Sequence, residues 1–118
     1  MHHFKELTIW KEAKDLSITI YKLTNSFPKS EIYGIISQIN RASVSIPSNI
    51  AEGAGRNTNK DFSRFISIAI GSSFELETQL IIAHEIGYIE KNSFNECIEK
   101  LSVIQKKLVN FNKYLKSK

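Results

Sequence analysis

His84 is the one histidine in the body of this 118-residue chain, since His2 and His3 lie at its start. A His-Glu-x-x-His zinc site needs a second histidine on the same helix face, but Tyr88 occupies that position. A di-metal carboxylate site in a helical bundle needs a Glu-x-x-His pair, and Ile81 stands where the glutamate would be. The sequence therefore predicts no metal and no other cofactor.

Cys97 is the only cysteine, and no histidine is recognisably placed to take its proton, as a nucleophile would require. It lies on an apolar helical stripe, so we interpret it as a small buried hydrophobic residue. The segment Gly53-Ala54-Gly55 lacks the Lys-Ser/Thr and the preceding strand of a phosphate-binding loop, so we interpret it as a helix end and a turn. These observations predict that the protein is not an enzyme.

Arginines and glutamates recur in two segments at spacings that place them on one helix face. Arg41 and Glu52 are eleven residues apart, as are Arg64 and Glu75, and eleven residues make almost three helical turns. The small residues at positions 71–73 permit close approach of another backbone. The candidate polar network comprises Arg41, Ser45, Asn49, Glu52, Arg64, Glu75 and Glu77.

Three interpretations of this polar network differ in what the arginines contact. In the first, the arginines pair with the glutamates between helices or between subunits. In the second they line a groove for phosphate or RNA, and in the third they form an enzyme site between subunits. Interleaved carboxylates repel phosphate and neutralise the field that binding would need, which favours the first interpretation over the second. The third has no nucleophile or metal set to support it. We therefore expect the network to fix the register of helices or subunits.

Positive charge is concentrated in one part of the chain. The formal charge is +4, yet residues 100–118 hold six lysines and no acid, so the remaining residues carry −2. The candidate nucleic-acid contacts in this part are Lys106, Lys107, Lys113 and Lys116. Cations near the end of a helix also favour the helix macrodipole, so an ordinary solvated face is the competing interpretation. Binding of RNA or DNA is thus a second hypothesis.

Length and composition describe one domain spanning residues 1–118. Hydrophobic residues make up 42% of the chain and charged residues 24%, as in soluble globular proteins. The longest unbroken apolar run, Leu80–Ala83, is far shorter than the roughly 20 residues of a bilayer-spanning helix, and the N-terminus lacks an apolar signal core. The single cysteine fits a reducing compartment. We expect a cytoplasmic protein with no membrane partner.

Apolar residues recur every three or four positions in four segments, which is typical of amphipathic helices. Helix one is predicted from about Thr8 to Asn25. Helix two is predicted to begin at Ser30, a good N-cap, and Pro47 is expected to kink or break it. The two stripes are Ile9, Ala13, Leu16, Ile20, Leu23 and Phe27, then Ile32, Ile36, Ile39, Ala42, Ile46, Ile50 and Gly53.

Helices three and four carry capping-box signatures. Thr58 with Asp61 starts helix three, which ends before Gly87, and Ser93 with Glu96 starts helix four. Their stripes are Phe62, Phe65, Ile66, Ala69, Ser73, Leu76, Leu80 and Ala83, then Cys97, Leu101, Ile104, Leu108, Phe111 and Leu115. No segment alternates as a strand would. Since short connections make neighbouring helices antiparallel, the sequence predicts an all-α, antiparallel up-down-up-down four-helix bundle.

The helices carry more apolar residues than one core would use. The surplus residues on the flanks of the stripes are Trp10, Ile18, Ile35, Ile68, Ile70, Ile81 and Ile82. Exposed together on a monomer, they would form the kind of apolar patch that usually marks a subunit interface. We therefore expect the chain to associate with copies of itself.

The run Ser45–Gly53, which reads SIPSNIAEG, resembles a known family. With Phe4-Lys5-Glu6-Leu7, Ile9-Trp10-Lys11 and Glu75–Leu80, it is similar to bacterial four-helix bundle proteins encoded in intervening sequences of 23S ribosomal RNA genes. The resemblance implies a four-helix bundle assembled as a ring-shaped homopentamer, and a relationship to the accessory variability determinant of diversity-generating retroelements. That relative works with a reverse transcriptase and binds nucleic acid through basic surface.

The same resemblance implies no enzymatic activity. The residues it shares with the family look like the architecture of the fold and of the ring. They are Asn49, Glu52, Arg64, Glu75 and Glu77. The lysine-rich end of helix four lies outside the shared motifs.

Overall fold

A computed structural model describes residues 2–118 as a bundle of four α-helices. They are α1 (Thr8–Thr24), α2 (Ile35–Ala54), α3 (Asn59–Glu85) and α4 (Lys91–Lys116), with short 3-10 turns at Phe4–Glu6 and Lys29–Glu31. Each helix packs against its neighbour in chain order, and α4 closes the bundle against α1. The described residues contain no strand. The predicted all-α four-helix bundle is confirmed.

The core consists of the predicted stripes. In α1, α3 and α4 every stripe residue is buried or half-buried, and the large side chains at the centre, such as Ile20, Ile66 and Leu108, are fully enclosed. Residues from all four helices join one hydrophobic cluster. The exception is Ile32, which precedes α2 and is 49% exposed.

Ile32 is exposed because α2 begins later than the sequence predicts. Pro28 is followed by a 3-10 turn and helical geometry resumes only at Ile35, so the proposed N-cap at Ser30 is wrong. Two contacts hold this connection in place. The Tyr88 hydroxyl donates a hydrogen bond to Glu31 Oε2 at 2.8 Å, and the Tyr88 ring packs 5.4 Å from that of Phe27.

Pro47 lies inside α2, which continues without a break from Ile35 to Ala54. The break given as one alternative is therefore wrong, and the kink stays a prediction. A proline has no N–H to donate to the carbonyl four residues earlier, here that of Ser43. The Ser17 hydroxyl of α1 donates to that carbonyl instead, at 2.8 Å, and both serines are buried. A tertiary hydrogen bond thus satisfies the acceptor that the proline leaves free.

The two ends of α3 follow their sequence signals. The Thr58 side chain accepts a hydrogen bond from the Asp61 N–H at 3.1 Å, as an N-cap should. At the other end Gly87 has φ of +89°, and the N–H groups of Tyr88 and Gly87 donate to the carbonyls of Ala83 and His84. This Schellman motif ends the helix.

The start predicted for α4 is wrong by three residues, because Ser93 as N-cap would make residue 94 the first of the helix. The helix begins at Lys91 after Glu90, and the Ser93 hydroxyl donates to Glu90 Oε1 at 3.3 Å rather than capping the helix. The reason is that Ile89, only 3% exposed, returns the chain to the core directly after α3. The next helix can therefore start at once.

Gly53 does not serve a turn, as the sequence suggested, but a close helix contact. It lies in the last turn of α2, and an added Cβ would stand 2.7 Å from Phe62 Cδ1 and 2.9 Å from Phe65 Cβ. Gly55, which caps the helix, has an ordinary φ of −81°. A side chain at position 53 would separate α2 from α3.

We predict that Ser17→Ala lowers the free energy of unfolding by about 1–3 kcal/mol, because the buried Ser43 carbonyl loses its donor. In a Pro47→Ala background the N–H of residue 47 supplies that donor, so the same substitution should cost much less. Urea unfolding at one fixed protein concentration measures this double-mutant cycle. Ser26→Ala, which removes an exposed hydroxyl, is the control. Equal costs of Ser17→Ala in both backgrounds would refute the compensation.

Candidate functional site

Part of the predicted polar network joins α2 to α3. The hydroxyls of Ser45 and Ser72 are 2.8 Å apart, and Asn49 Nδ2 donates to the carbonyl and hydroxyl oxygens of Ser45 at 2.8 and 3.0 Å. All three side chains are half-buried between the helices. The Ser45–Ser72 hydrogen bond fixes the register of α2 on α3.

Two charged members of the network pair with residues three or four positions away rather than with another helix. Glu52 near the end of α2 accepts from Arg56, just beyond that helix, at 2.7 Å, and Arg64 lies 4.0 Å from Asp61 within α3. Both guanidinium groups also pack on Phe65, at 4.7 and 5.3 Å from the ring centre. Neighbours three or four residues apart already share a helix face, so a local pair orders fewer groups than a pair between helices.

The other three charged members occupy different places. Glu77 accepts a hydrogen bond from Gln105 Nε2 of α4 at 2.8 Å. Arg41 and Glu75 are exposed, and within residues 2–118 neither forms an ion pair. The seven predicted residues therefore do not meet in a single site.

The structure separates the four candidate lysines of α4. Lys107 donates to Glu12 of α1 at 2.7 Å, which ties it to the bundle. Lys106 borders a groove between α3 and α4 beside Phe74, and Lys113 is exposed. Only Lys116 reaches a second group of cations.

That group lines a groove between the start of α3 and the end of α4. The groove encloses about 680 Å³, and its charged residues are Lys60, Asp61, Arg64, Lys116 and Lys118. Four cations against one carboxylate give it a positive field. Sequence reasoning missed Lys60 as a site residue because it and Lys116 are far apart in the chain and meet only when α3 and α4 pack.

The outward face of α3 carries exposed apolar side chains among its polar ones. Ile68, Phe74 and Ile82 are 47%, 51% and 48% exposed, although the opposite face of the same helix lies in the core. Nothing lies within 4 Å of a Cβ built on Gly71 on this face. Ile18 and Ile81, also predicted as surplus, are exposed as well, whereas Trp10, Ile35 and Ile70 pack against the core.

With apolar residues both in the core and on the outward face, α3 is long and apolar enough to cross a membrane, by length and composition alone. The relevant window has a mean hydropathy of 1.3, and 33% of it is buried in the bundle. The sequence analysis expected no such segment because it considered unbroken apolar runs only. Ser67 and the small residues at positions 71–73 interrupt the apolar run of α3, but they leave the mean hydropathy of the window high. Core helices of soluble bundles meet the same criterion.

The residues considered for catalysis are engaged in packing. Cys97 is 2% exposed, and burial raises the pKa of its thiol, with a further rise from Glu96 and an opposing effect of Lys100. His84 Nδ1 lies 2.9 Å from the Ile89 carbonyl, and its ring stacks on Phe94. Among residues 2–118, no three His, Cys, Asp or Glu side chains are grouped to hold a metal ion.

Comparison with known proteins assigns this bundle to a family. Residues 5–110 match the family described as 23S rRNA-intervening sequence protein. The chain belongs to this family. A similar solved structure is that of a protein with unknown function from the S23 ribosomal protein family of Bacteroides thetaiotaomicron VPI-5482, with 22% sequence identity and a TM-score of 0.81, covering 90% of this chain and 99% of that one. A search of curated proteins found no match.

The structural likeness concerns the fold, and neither comparison indicates an enzymatic family. The family match includes Lys106 and Lys107 and ends before Lys113. Two of the four cations of the basic groove, Lys116 and Lys118, therefore lie beyond the residues that match the family.

We predict that Cys97 of the native protein reacts with iodoacetamide at pH 8 at least about tenfold more slowly than in the unfolded chain. Only the thiolate reacts, and the burial of Cys97 both blocks access to the sulfur and raises the pKa of the thiol, which lowers the thiolate fraction. Mass spectrometry of samples quenched with and without denaturant measures both rates. Reaction at the unfolded rate would show an accessible thiol and reopen the possibility of a nucleophile.

Proposed function

We propose that this protein is a non-enzymatic homo-oligomeric scaffold whose copies associate through the outward face of α3. The observation that carries this proposal is that α3 exposes large apolar side chains on the side that faces away from the core. Several such side chains close together on a surface usually mark a protein–protein contact. In the single chain, Ile68, Phe74 and Ile82 remain about half exposed, and a second copy would remove them from water.

The flank of α2 supports the same surface. Arg41 and Glu75 are exposed without a partner ion within the described chain, so both are free to pair across a subunit contact. The Ser45–Ser72 hydrogen bond holds α2 and α3 as one unit, which presents these charges at a fixed spacing. In this proposal five subunits form the ring, as the family resemblance implies.

We predict that Ile82→Asp shifts the protein from oligomer to monomer. A carboxylate buried without a partner at the contact is strongly unfavourable, whereas the side chain is exposed in the monomer. Val103→Asp is the matched control, because Val103 on α4 is 46% exposed and Ile82 is 48% exposed. Light scattering after size-exclusion chromatography measures the mass, and circular dichroism checks the helices. A wild-type protein that is monomeric at micromolar concentration would refute the scaffold.

The basic groove favours a second candidate function, binding of RNA or DNA. Lys60, Arg64, Lys116 and Lys118 surround one cavity, an arrangement that suits the phosphates of a nucleic-acid backbone. The accessory variability determinant, to which the sequence resemblance implies a relationship, binds nucleic acid through basic surface. This assigns the contact to the groove rather than to the whole lysine-rich end of α4, because Lys107 is held by Glu12.

We predict that replacing Lys60, Lys116 and Lys118 together by glutamine weakens binding of a fluorescein-labelled oligouridine at least about tenfold. Fluorescence anisotropy at several salt concentrations measures it, and four phosphate contacts give a logarithmic salt slope of about −3. The matched control replaces Lys11, Lys106 and Lys113, three exposed lysines elsewhere. Loss in the control variant alone would return the contact to the outer face of α4. Wild-type protein that does not bind would exclude this candidate.

A further inference from the structure

An apolar groove between α1 and α2 lies apart from the α3 face and the basic end. It encloses about 420 Å³ and is lined by Ile18, Tyr21, Val44 and Pro47, with Lys14 and Lys22 also on its walls. Ile18 is 48% and Tyr21 50% exposed. No carboxylate lines it. The groove therefore combines apolar surface with positive charge.

The outward face of α3 has the complementary composition. Between Arg64 and Lys91 the chain contains no lysine or arginine, while it contains Glu75, Glu77, Glu85 and Glu90. Glu75 and Glu85 are exposed, on the side of α3 that carries Phe74 and Ile82. This part of α3 therefore combines apolar surface with negative charge.

We propose that the α1–α2 groove receives the C-terminal half of the outward face of α3 from a second copy of the chain. This rests on the proposed function and names the surface opposite α3. Lys14 and Lys22 are eight residues apart on α1, a rise of about 12 Å, and Glu75 and Glu85 are ten apart on α3, a rise of about 15 Å. The flexible side chains span the difference, so two pairs of opposite charges form at each docked helix.

The charges near the groove do not oppose this pairing. Lys14 already contacts the exposed Asp15 at 2.8 Å and keeps 43% of its side chain exposed, so it can share its donors with a second carboxylate. Lys22 has no ion pair within the described residues, and Arg41, one turn before Val44 on α2, adds positive charge.

A two-fold contact between two α3 faces is the alternative arrangement. If it is centred on the C-terminal half of α3, it places the acidic stretch of one helix against that of another, because Lys60 and Arg64 lie earlier in the helix, and like charges brought together are unfavourable. A contact between two different surfaces leaves each copy with one free groove and one free α3 face. Such heterologous contacts propagate from copy to copy and close into a ring when the rotation permits.

Charge reversal tests the pairing. Lys14→Glu with Lys22→Glu, or Glu75→Lys with Glu85→Lys, should raise the subunit dissociation constant at least about tenfold, and all four substitutions in one chain should restore association. Lys106→Glu with Lys113→Glu, on α4, is the matched control and should leave it unchanged. Sedimentation velocity over a concentration series gives the constant. An oligomer insensitive to both reversals overturns this inference and leaves the scaffold standing, whereas a monomeric wild-type protein overturns both.

Cysteine cross-linking provides a second measurement that does not depend on charge. Thr78 is exposed on the outward face of α3, one turn after Phe74 and one turn before Ile82. In a Cys97→Ala background, a chain with Tyr21→Cys mixed with a chain with Thr78→Cys should form a disulfide-linked dimer under mild oxidation. The Tyr21→Cys chain mixed with an Asn110→Cys chain, whose cysteine is on α4, should not. Disulfide-linked dimers of the Thr78→Cys chain by itself would show the two-fold α3 contact and overturn the inference, as would failure of the first mixture from a protein that is oligomeric.

Discussion

The carbonyl of Ser43 is a buried acceptor from which Pro47 has removed the usual donor, and the Ser17 hydroxyl takes that donor's place at 2.8 Å. Leaving such an acceptor unpaired would cost about 1–3 kcal/mol, a large share of the stability of a small domain. Because the replacement comes from α1, the continuity of α2 depends on its neighbour. The compensation also keeps the following turns of α2 regular. Ser45 and Asn49 can then reach α3 on the other side.

α3 is the helix on which both halves of the bundle depend. Its inner stripe, from Phe62 to Ala83, lies in the core, and the approach of α2 is close enough that position 53 must be glycine. Its outer side also carries large apolar side chains, among them Ile68, Phe74 and Ile82, which no contact within one chain covers. The proposed association uses this side.

Some charged residues of the chain form local ion pairs, and others lie on two surfaces of opposite charge. Glu52, Arg64 and Lys107 are each drawn to a nearby partner of opposite sign. What remains is a positive groove where α3 begins and α4 ends, and an acidic stretch later in α3. Since screening limits exposed charges to about 8–10 Å at physiological salt, these surfaces act separately. An assembly through one leaves the other available.

The periodicity of the sequence by itself determined the number of helices, nearly all of the core, and the ends of α3, because burial of a stripe and the special geometry of Gly87 are properties of local residues. It placed the starts of α2 and α4 wrongly, because Ser30 and Ser93 are good caps in isolation. The packing of Phe27, Tyr88 and Ile89 on the core sets the path of the connections instead. Only the tertiary structure decided which group donates a hydrogen bond to the Ser43 carbonyl. It also decided that position 53 must be glycine, because α3 lies against it. It also decided which cations share a groove, because these contacts join residues distant in the chain, and local pattern carries no information about which helix faces meet.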